Sequence, residues 1–408
     1  MSKQNIGLYG FGCVGQGLFK TLEGNSKNIN ARISKICVKT RGKNRILAED
    51  RFIYDQDAIL NDKDIDIVVE LIDDAKAAFY IVTEALKRGK AVVTANKKMV
   101  AENLEELIRL QEEYSAPLLY EGAVCGSIPI IRTLEDYYSA EHIEEIKGIF
   151  NGSTNYIMTK VFQEGKEYDD ALHEAQVAGF AESDPTLDVG GFDPKYKLAI
   201  VLQHTFGVSV HPEKIFNWGI QNITEADVRF AQENGLKIKL LSSAVINHRK
   251  ISTYVAPHFI SDDSPLFHVE NEYNSVLLHG EFVDNQVLIG KGAGSLPTGL
   301  AVLSDVEALT NNYKYRYAKR AQKLDFDIYS GSVEVYLSFR DIAEVEWSQF
   351  DNISEKYIGK NSGHIIGTIG FDRLVKLLKL SGEHVNVIFT SGKHEQQQLS
   401  KMTYSYAG

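Results

Sequence analysis

Between Glu182 and Lys197 the chain places four carboxylates (Glu182, Asp184, Asp188, Asp193) and Lys197 within sixteen residues rich in turn formers. Asp193 and Lys197 stand four apart, so both face one side if a helix begins near Pro194 with Asp193 as its cap. A lysine among carboxylates can move a proton while the acids hold a cationic or hydroxyl-bearing ligand. The same residues also suit a helix cap and an exposed ion pair of small energy. Three more polar segments leave the same choice open. Thr94-Ala95-Asn96-Lys97-Lys98 follows the strand Ala91-Val92-Val93, where parallel sheets bind ligands, though a lysine pair opening a helix can simply be solvated. Asn151-Gly152-Ser153-Thr154-Asn155-Tyr156 is either a capped turn or a polar pocket wall. Gly290-Lys291-Gly292-Ala293-Gly294 allows close approach by a ligand or by another backbone.

Gly10-Phe11-Gly12-Cys13-Val14-Gly15 fits GxGxxG, directly after the strand-like Ile6-Gly7-Leu8-Tyr9. In a βαβ unit the first glycine permits the turn, the second lets a pyrophosphate reach the backbone, and the third packs helix on strand. Helix N-terminal amides then attract the phosphate. Where an NAD site would put an acid after the second strand, the chain reads Val38-Lys39-Thr40-Arg41-Gly42-Lys43. Lys39 and Arg41 can meet a 2′-phosphate, which favours NADP over NAD slightly; a solvated basic turn accounts for them equally well.

These segments need a scaffold, and the chain's patterning supplies one. Over the first 130 residues short apolar runs (Ile33–Val38, Ile65–Ile72, Ala91–Val93, Leu118–Tyr120) alternate with amphipathic stretches at 77–88 and 101–114. Such alternation predicts a doubly wound, Rossmann-type α/β domain over 1–135, with 298–320 returning to it. Longer strand-like runs then follow at Ile143–Phe150, Ile238–Ile246, Ile251–Phe259, Ser275–Val283 and Val287–Ile289, the last two separated by a turn at Asp284-Asn285. Helices are expected over 154–163 and 194–204. They define an α+β substrate and dimerisation domain over 136–297. A small separate α+β module over 326–395 has strands at Val333–Phe339 and Val385–Thr390, a helix at Phe371–Leu380 and a hairpin within Tyr357–Ile369. The polar tail, 396–408, is expected to be poorly ordered.

A net charge of −11 without a long basic stretch argues against nucleic acid or an anionic membrane as partner. No apolar run reaches the roughly 18 residues of a membrane span. The first residues lead into a strand with no signal-like apolar region. Cys13, Cys37 and Cys125 lack metal or disulfide spacing, which suits a reducing, cytoplasmic setting.

The succession GFGCVG, VVELI, VVTANKK, YEGAVCGSIPII, KGIFNGSTNYIM, AGFAESDPTLDVGGFDPKYKLAI and GKGAGSLPTGLAVLSDV resembles homoserine dehydrogenase over residues 5 to about 308. The segment 179–198 carries the most specific part of the likeness. The resemblance implies an NAD(P)-dependent interconversion of homoserine and aspartate semialdehyde. It assigns the cofactor to Gly10, Gly12, Val14, Gly15, Lys97, Gly179 and Gly292 or Gly294; Cys13 of the glycine loop and Arg41 of the basic turn join them as cofactor candidates read from the residues. Glu182, Asp193, Asp188 and Ser153 would meet the substrate, Lys197 would donate the proton, and Lys97 would be a second essential lysine. Backbone carbonyls of Glu121, Val124, Gly126 and Ile128 match a loop that binds a sodium ion in relatives. Reduction of an aldehyde needs a hydride and a proton for the developing alkoxide, which a desolvated lysine can supply.

Departures from the usual pattern are Ser153 for Thr, Phe180 for Tyr, and Asp73-Asp74 for Gly-Gly. The C-terminal module occupies the position of a threonine-sensing ACT domain. Its Asp341-Ile342-Ala343-Glu344-Val345 lacks the expected Pro-Gly turn, so a degenerate ACT-like module serving assembly fits as well as a sensor. A homodimer or homotetramer is expected. Two alternatives are another two-domain amino-acid dehydrogenase and a non-enzymatic dinucleotide sensor. The latter has no need of Lys97, Glu182, Asp193 and Lys197 together.

Overall fold

The computed structural model describes residues 3–25, 27–247, 249–322, 324–326, 331–340, 345–359 and 362–390. They form two compact units. The first comprises the chain up to Ile143 together with Tyr196–Pro212 and His279–Leu324. The second holds Glu144–Lys195, Glu213–Leu278 and the chain from Asp325 onward.

In the first unit the strands β1 (Gln4–Tyr9), β2 (Ala31–Cys37), β3 (Phe52–Ile53), β4 (Ile67–Glu70), β5 (Ala91–Thr94) and β6 (Leu118–Leu119) form one parallel sheet. Its order is β3-β2-β1-β4-β5-β6. This is the Rossmann arrangement, whose ligands lie beyond the carboxyl ends of the strands at the reversal between β1 and β4. Burial of every β4 residue explains the unbroken apolar run there, because helices cover both faces. The helix Ala75–Lys87 buries Ala78, Ile81, Val82, Ala85 and Leu86 at helical spacing. Asp74 caps it, accepting the Lys76 and Ala77 amides at 3.0 and 3.1 Å. Asp74, the second of the two acids, therefore has a local structural use. The helix Ser295–Thr310, which begins three residues before the 298–320 segment expected to return to this domain, lies against the helix Cys13–Gly24. A side chain at Gly17 would run into the Ser295 carbonyl, and one at Gly299 into the Gly17 backbone.

In the second unit the sheet is mixed. Strands β7 (Ile143–Ile149), β8 (Phe216–Asn217), β9 (Lys237–Asn247) and β10 (Lys250–Ile260) are followed by β11 (Tyr273–Gly280) and β12 (Asp284–Lys291), the last assigned to the first unit. The β9/β10 hairpin pairs antiparallel over eleven positions. The turn before β12 falls on Glu281–Val283 rather than on Asp284-Asn285; Asp284 opens the strand at φ 53°, a left-handed conformation that Asp tolerates.

The expected separate C-terminal module is part of this sheet. After β13 (Asp325–Phe326) come β14 (Ser332–Phe339), β15 (Phe350–Ile358), β16 (Gly363–Gly370) and β17 (Val385–Phe389), ordered β10-β17-β14-β16-β15. The first strand of the foreseen hairpin starts at Phe350, seven residues before Tyr357. Ala256 of β10 shares one core with Val335, Leu337, Leu374 and Val387. Trp218 Nε1 donates to Asn386 Oδ1 at 3.0 Å. Alternating patterns locate strands but not the neighbours they choose, which is why this continuity was hidden. The polar tail lies outside the described residues. Helices Tyr168–Val177 and Glu225–Glu233 were not foreseen.

Candidate active site

The glycine loop turns from β1 into the helix Cys13–Gly24. Gly10 has φ 88°, and a Cβ there would strike the Leu71 carbonyl. One at Gly15 would press on the Gly10 carbonyl, whereas one at Gly12 meets nothing within 4 Å. The first and third glycines thus serve the turn and the helix packing, and the second leaves backbone open to a ligand. No side chain caps this helix and no acid stands in its first turn, which suits an anion at its N-terminus. Cys13 is exposed there. These residues fit the pyrophosphate of a nicotinamide dinucleotide.

The basic turn after β2 is buttressed by the segment before β4. The Arg41 guanidinium stacks 4.4 Å from the Tyr54 ring, and Tyr54 donates to Glu49, which also accepts the Gly42 amide at 3.2 Å. Gly292 is buried, and Gly294, at φ 119°, precedes the helix Ser295–Thr310.

Lys97 and Lys98 open the helix Lys97–Tyr114, capped by Asn96. They part company: Lys97 is half-buried, while Lys98 is exposed, 3.9 Å from Glu102 and 6.0 Å from the Tyr196 ring centroid. Tyr196 precedes Lys197, which is buried with 7% exposure. The helix carrying both runs Phe192–Phe206, two residues longer at its start than expected. Asp193 therefore sits in the first turn rather than at the cap. Pro194 is tolerated because the amides of a first turn lack intrahelical partners.

Two turns beyond Lys197, His204 locks this helix. Its Nε2 lies 2.9 Å from the Tyr120 hydroxyl and its Nδ1 2.6 Å from Glu135 Oε1. Glu135 Oε2 accepts the Arg316 and Tyr317 amides at 2.8 and 3.0 Å. Burial alone would raise the Glu135 carboxyl, but these donors hold it below its ordinary range. Sequence reasoning missed His204, although its place seven residues after Lys197 was a usable sign.

A separate group of acidic and amide side chains lies in the second unit. Asn151 caps the helix Gly152–Glu164 through Oδ1, accepting the Thr154 amide at 2.8 Å. Its Nδ2 donates to Asp188 Oδ1 at 2.7 Å and to Asp193 Oδ2 at 2.9 Å, and Asp193 is only 4% exposed. One amide thus joins two carboxylates predicted for the site. Ser153 Oγ donates to the Phe180 carbonyl at 2.5 Å, tying that turn to the acidic segment. Gly179, at φ 78°, ends the helix Tyr168–Val177. Glu182 is exposed, with its carbonyl held by Gln176 at 3.1 Å. Sequence reasoning also missed Lys195, which is buried and donates to Asn217 Oδ1 at 2.7 Å; Asn217 in turn donates to the Gly190 carbonyl at 2.7 Å. Burial lowers the Lys195 pKa.

In the loop Glu121–Ile128 the Glu121 carboxylate accepts the Ile131 and Arg132 amides at 2.8 and 2.9 Å. Its backbone carbonyl accepts the Val124 amide, and the Ile128 carbonyl accepts that of Ile130. Each oxygen keeps a second lone pair. Cys125 and Gly126 are both left-handed, and a Cβ on Gly126 would strike the 291–292 backbone. The carbonyl oxygens of this loop are neutral donors, chemistry suited to a hard monovalent ion; among the described residues no group of His, Cys, Asp and Glu could hold a metal ion.

A six-stranded parallel sheet with a glycine loop at its reversal point is the dinucleotide-binding Rossmann class, and comparisons with known proteins extend this to an NAD-binding oxidoreductase. A family model described as the NAD-binding domain of homoserine dehydrogenase matches residues 10–121, and the homoserine dehydrogenase model matches 129–306. The homoserine dehydrogenase of Bacillus subtilis is 36% identical over 77% of this chain and 74% of its own length. The crystal structure of a homoserine dehydrogenase from Thiobacillus denitrificans superposes with a TM-score of 0.86 at 30% identity, covering 96% of this chain and 99% of that one. A hyperthermophilic archaeal homoserine dehydrogenase mutant in complex with NADPH gives 0.66 at 26% identity, covering 77% and 99%. The chain belongs to the homoserine dehydrogenase family, oxidoreductases of amino-acid biosynthesis. No helix among the described residues is long and apolar enough to cross a membrane.

Proposed function

We propose that the chain interconverts L-homoserine and L-aspartate 4-semialdehyde, with Lys197 moving the proton and Glu182, Asp188 and Asp193 holding the substrate. The observation that carries this reading is the helix Phe192–Phe206, which bears a buried carboxylate and a buried lysine one turn apart. When bound, the nicotinamide dinucleotide supplies or accepts the hydride. In reduction the carbonyl π pair takes a proton from the Lys197 ammonium; in oxidation the neutral amine takes it back from the hydroxyl. Asp193, oriented by Asn151, receives the polar end of the substrate, and Glu182 pairs with its ammonium. Ser153 shapes the wall beside Phe180. Lys97 borders the cofactor with Gly10, Gly12, Cys13, Val14, Gly15, Gly179, Gly292 and Gly294.

For the cofactor the reading favours NADP modestly, with Arg41 meeting the 2′-phosphate from its seat on Tyr54. The carbonyls of Glu121, Val124, Gly126 and Ile128 would hold a sodium ion, ordering the loop behind the Gly292 turn. The segment read as an ACT-like module of degenerate type, 326–395, is supported through its described residues by the antiparallel order β15-β16-β14-β17 and the helix Phe371–Ser381. It would serve a cytoplasmic homodimer or homotetramer. The domain limits 1–135 with 298–320, and 136–297, remain our functional division.

Homoserine oxidation by the purified protein, followed with NAD and NADP in parallel, tests this reading. Turnover with both, and a larger loss of NADP than of NAD affinity in Arg41→Ala, is expected. No homoserine-dependent reduction of either nucleotide would refute the activity, and equal losses would reduce Arg41 to a surface charge.

A further inference from the structure

Glu70 is fully buried at the carboxyl end of β4, yet no ion pair reaches it among the described residues. Burying a carboxylate without a counter-charge is costly unless hydrogen bonds compensate. Here they form a closed ring. Glu70 Oε1 accepts the Ile72 amide at 2.6 Å, and Oε2 accepts the Thr94 hydroxyl at 2.6 Å. Thr94 Oγ1 accepts the Asn96 amide at 3.0 Å, and Asn96 Nδ2 donates to the Ile72 carbonyl at 3.0 Å. Glu70 and Thr94 are the last registered pair of β4 and β5, so the ring joins the two loops that leave these strands on the ligand-binding edge. Asn96 extends it by accepting the Met99 amide at 3.0 Å, which fixes the start of the helix on which Lys97 is the first residue.

We propose that Glu70 is a positioning residue for the cofactor edge, holding the loops at Ile72 and Asn96 in one hydrogen-bonded ring and so setting the helix turn that carries Lys97. The inference rests on the reading that Lys97 borders the cofactor. A glutamine cannot replace this carboxylate fully. Its oxygen can accept from one of the two donors, but its amide nitrogen accepts from neither. An apolar residue would leave both donors in the interior without an acceptor. Burial pushes the Glu70 carboxyl up to about 7, with the Thr94 and Ile72 donors lowering it and Asp73 adding to the rise. Protonation near neutrality turns one carboxylate oxygen into a hydroxyl, a donor and a weaker acceptor, and so loosens the ring in the direction the glutamine does.

The test is binding of NADPH and NADH, read from nicotinamide fluorescence, in Glu70→Gln, Thr94→Val, Thr94→Ser and Lys97→Ala, each with its thermal midpoint and kcat. A misplacement of about 1 Å, even from a change far from the chemistry, can cost about a hundredfold in rate. Glu70→Gln and Thr94→Val should weaken nucleotide binding by about tenfold, and Thr94→Ser, which keeps the hydroxyl, should restore it. Wild-type affinity should weaken as pH falls through about 7, while Glu70→Gln should show no such step. If Lys97→Ala weakens binding but Glu70→Gln and Thr94→Val bind and turn over like wild type, the ring has no positioning role and the proposal is overturned. Lower thermal midpoints with unchanged affinity and unchanged pH profile would also overturn it, leaving Glu70 a purely structural group. Wild-type affinity and turnover in Lys97→Ala would instead refute the reading of Lys97 and the proposal with it.

Discussion

Asn151 donates from Nδ2 to Asp193 Oδ2 over 2.9 Å, and the same nitrogen reaches Asp188. With its oxygen spent on the Thr154 amide, this one side chain orients both acids and caps a helix. Asn151→Ala removes all three bonds. The lost cap alone costs about 1 kcal/mol, and releasing two carboxylates should raise the homoserine KM about tenfold or more. Asn151→Asp keeps the cap but sets a third carboxylate against the other two, so its KM should rise further. Steady-state kinetics with homoserine checks both; an unchanged KM in Asn151→Asp would remove Asp188 and Asp193 from substrate binding.

Stability should carry a mark of the buried glutamate in the nucleotide-binding sheet. The native pKa of Glu70, about 7, lies above its ordinary 4.5. The folded state therefore holds the proton more tightly than the unfolded state. Burying this group costs little below about pH 4.5 and becomes destabilising as pH rises through about 7. Relative to Glu70→Gln, wild type should lose on the order of 3 kcal/mol between pH 5 and pH 8. Denaturant unfolding at the two pH values measures this difference. A constant gap between the proteins would show that Glu70 keeps one protonation state throughout.

Threonine should have little effect on activity. Acids at Asp341, Glu344 and Glu346 in the C-terminal module oppose a carboxylate ligand by their charge; Glu346 precedes the turn Trp347–Gln349, while Asp341 and Glu344 lie outside the described residues. Millimolar threonine should leave the rate of the full-length protein within about twofold, since weak or absent differential binding shifts no equilibrium. Strong inhibition would show a working sensor. Truncation after about residue 325, expected from sequence to disturb mainly the oligomer, should also destabilise the second unit, because it strips partners from Ala256.

Legibility in the sequence followed the range of each interaction. The glycine loop, β4, β5 and the start of the Lys97 helix were readable because period and turn chemistry are local signals. Asp188 and Asp193 could be placed together as acids, but not the Asn151 amide that joins them from 37 and 42 residues away. Still greater separations in sequence hid the His204–Glu135 contact, 69 residues apart, and the pairing of Phe389 with His258. Glu70 stood within a recognised motif but drew no notice, since an acid closing an apolar strand reads as the end of burial. Only the ring of donors around it shows its use.

The measurement that bears most directly on the proposed mechanism is the turnover of Lys197→Ala beside its nucleotide affinity. Lys197 is buried with 7% exposure on the helix it shares with Asp193, and its proposed role is confined to the proton. Loss of a general acid–base group should lower kcat by roughly 100- to 10,000-fold while NADPH binding stays near wild type. Near-normal kcat in a folded Lys197→Ala protein would contradict the account at its centre.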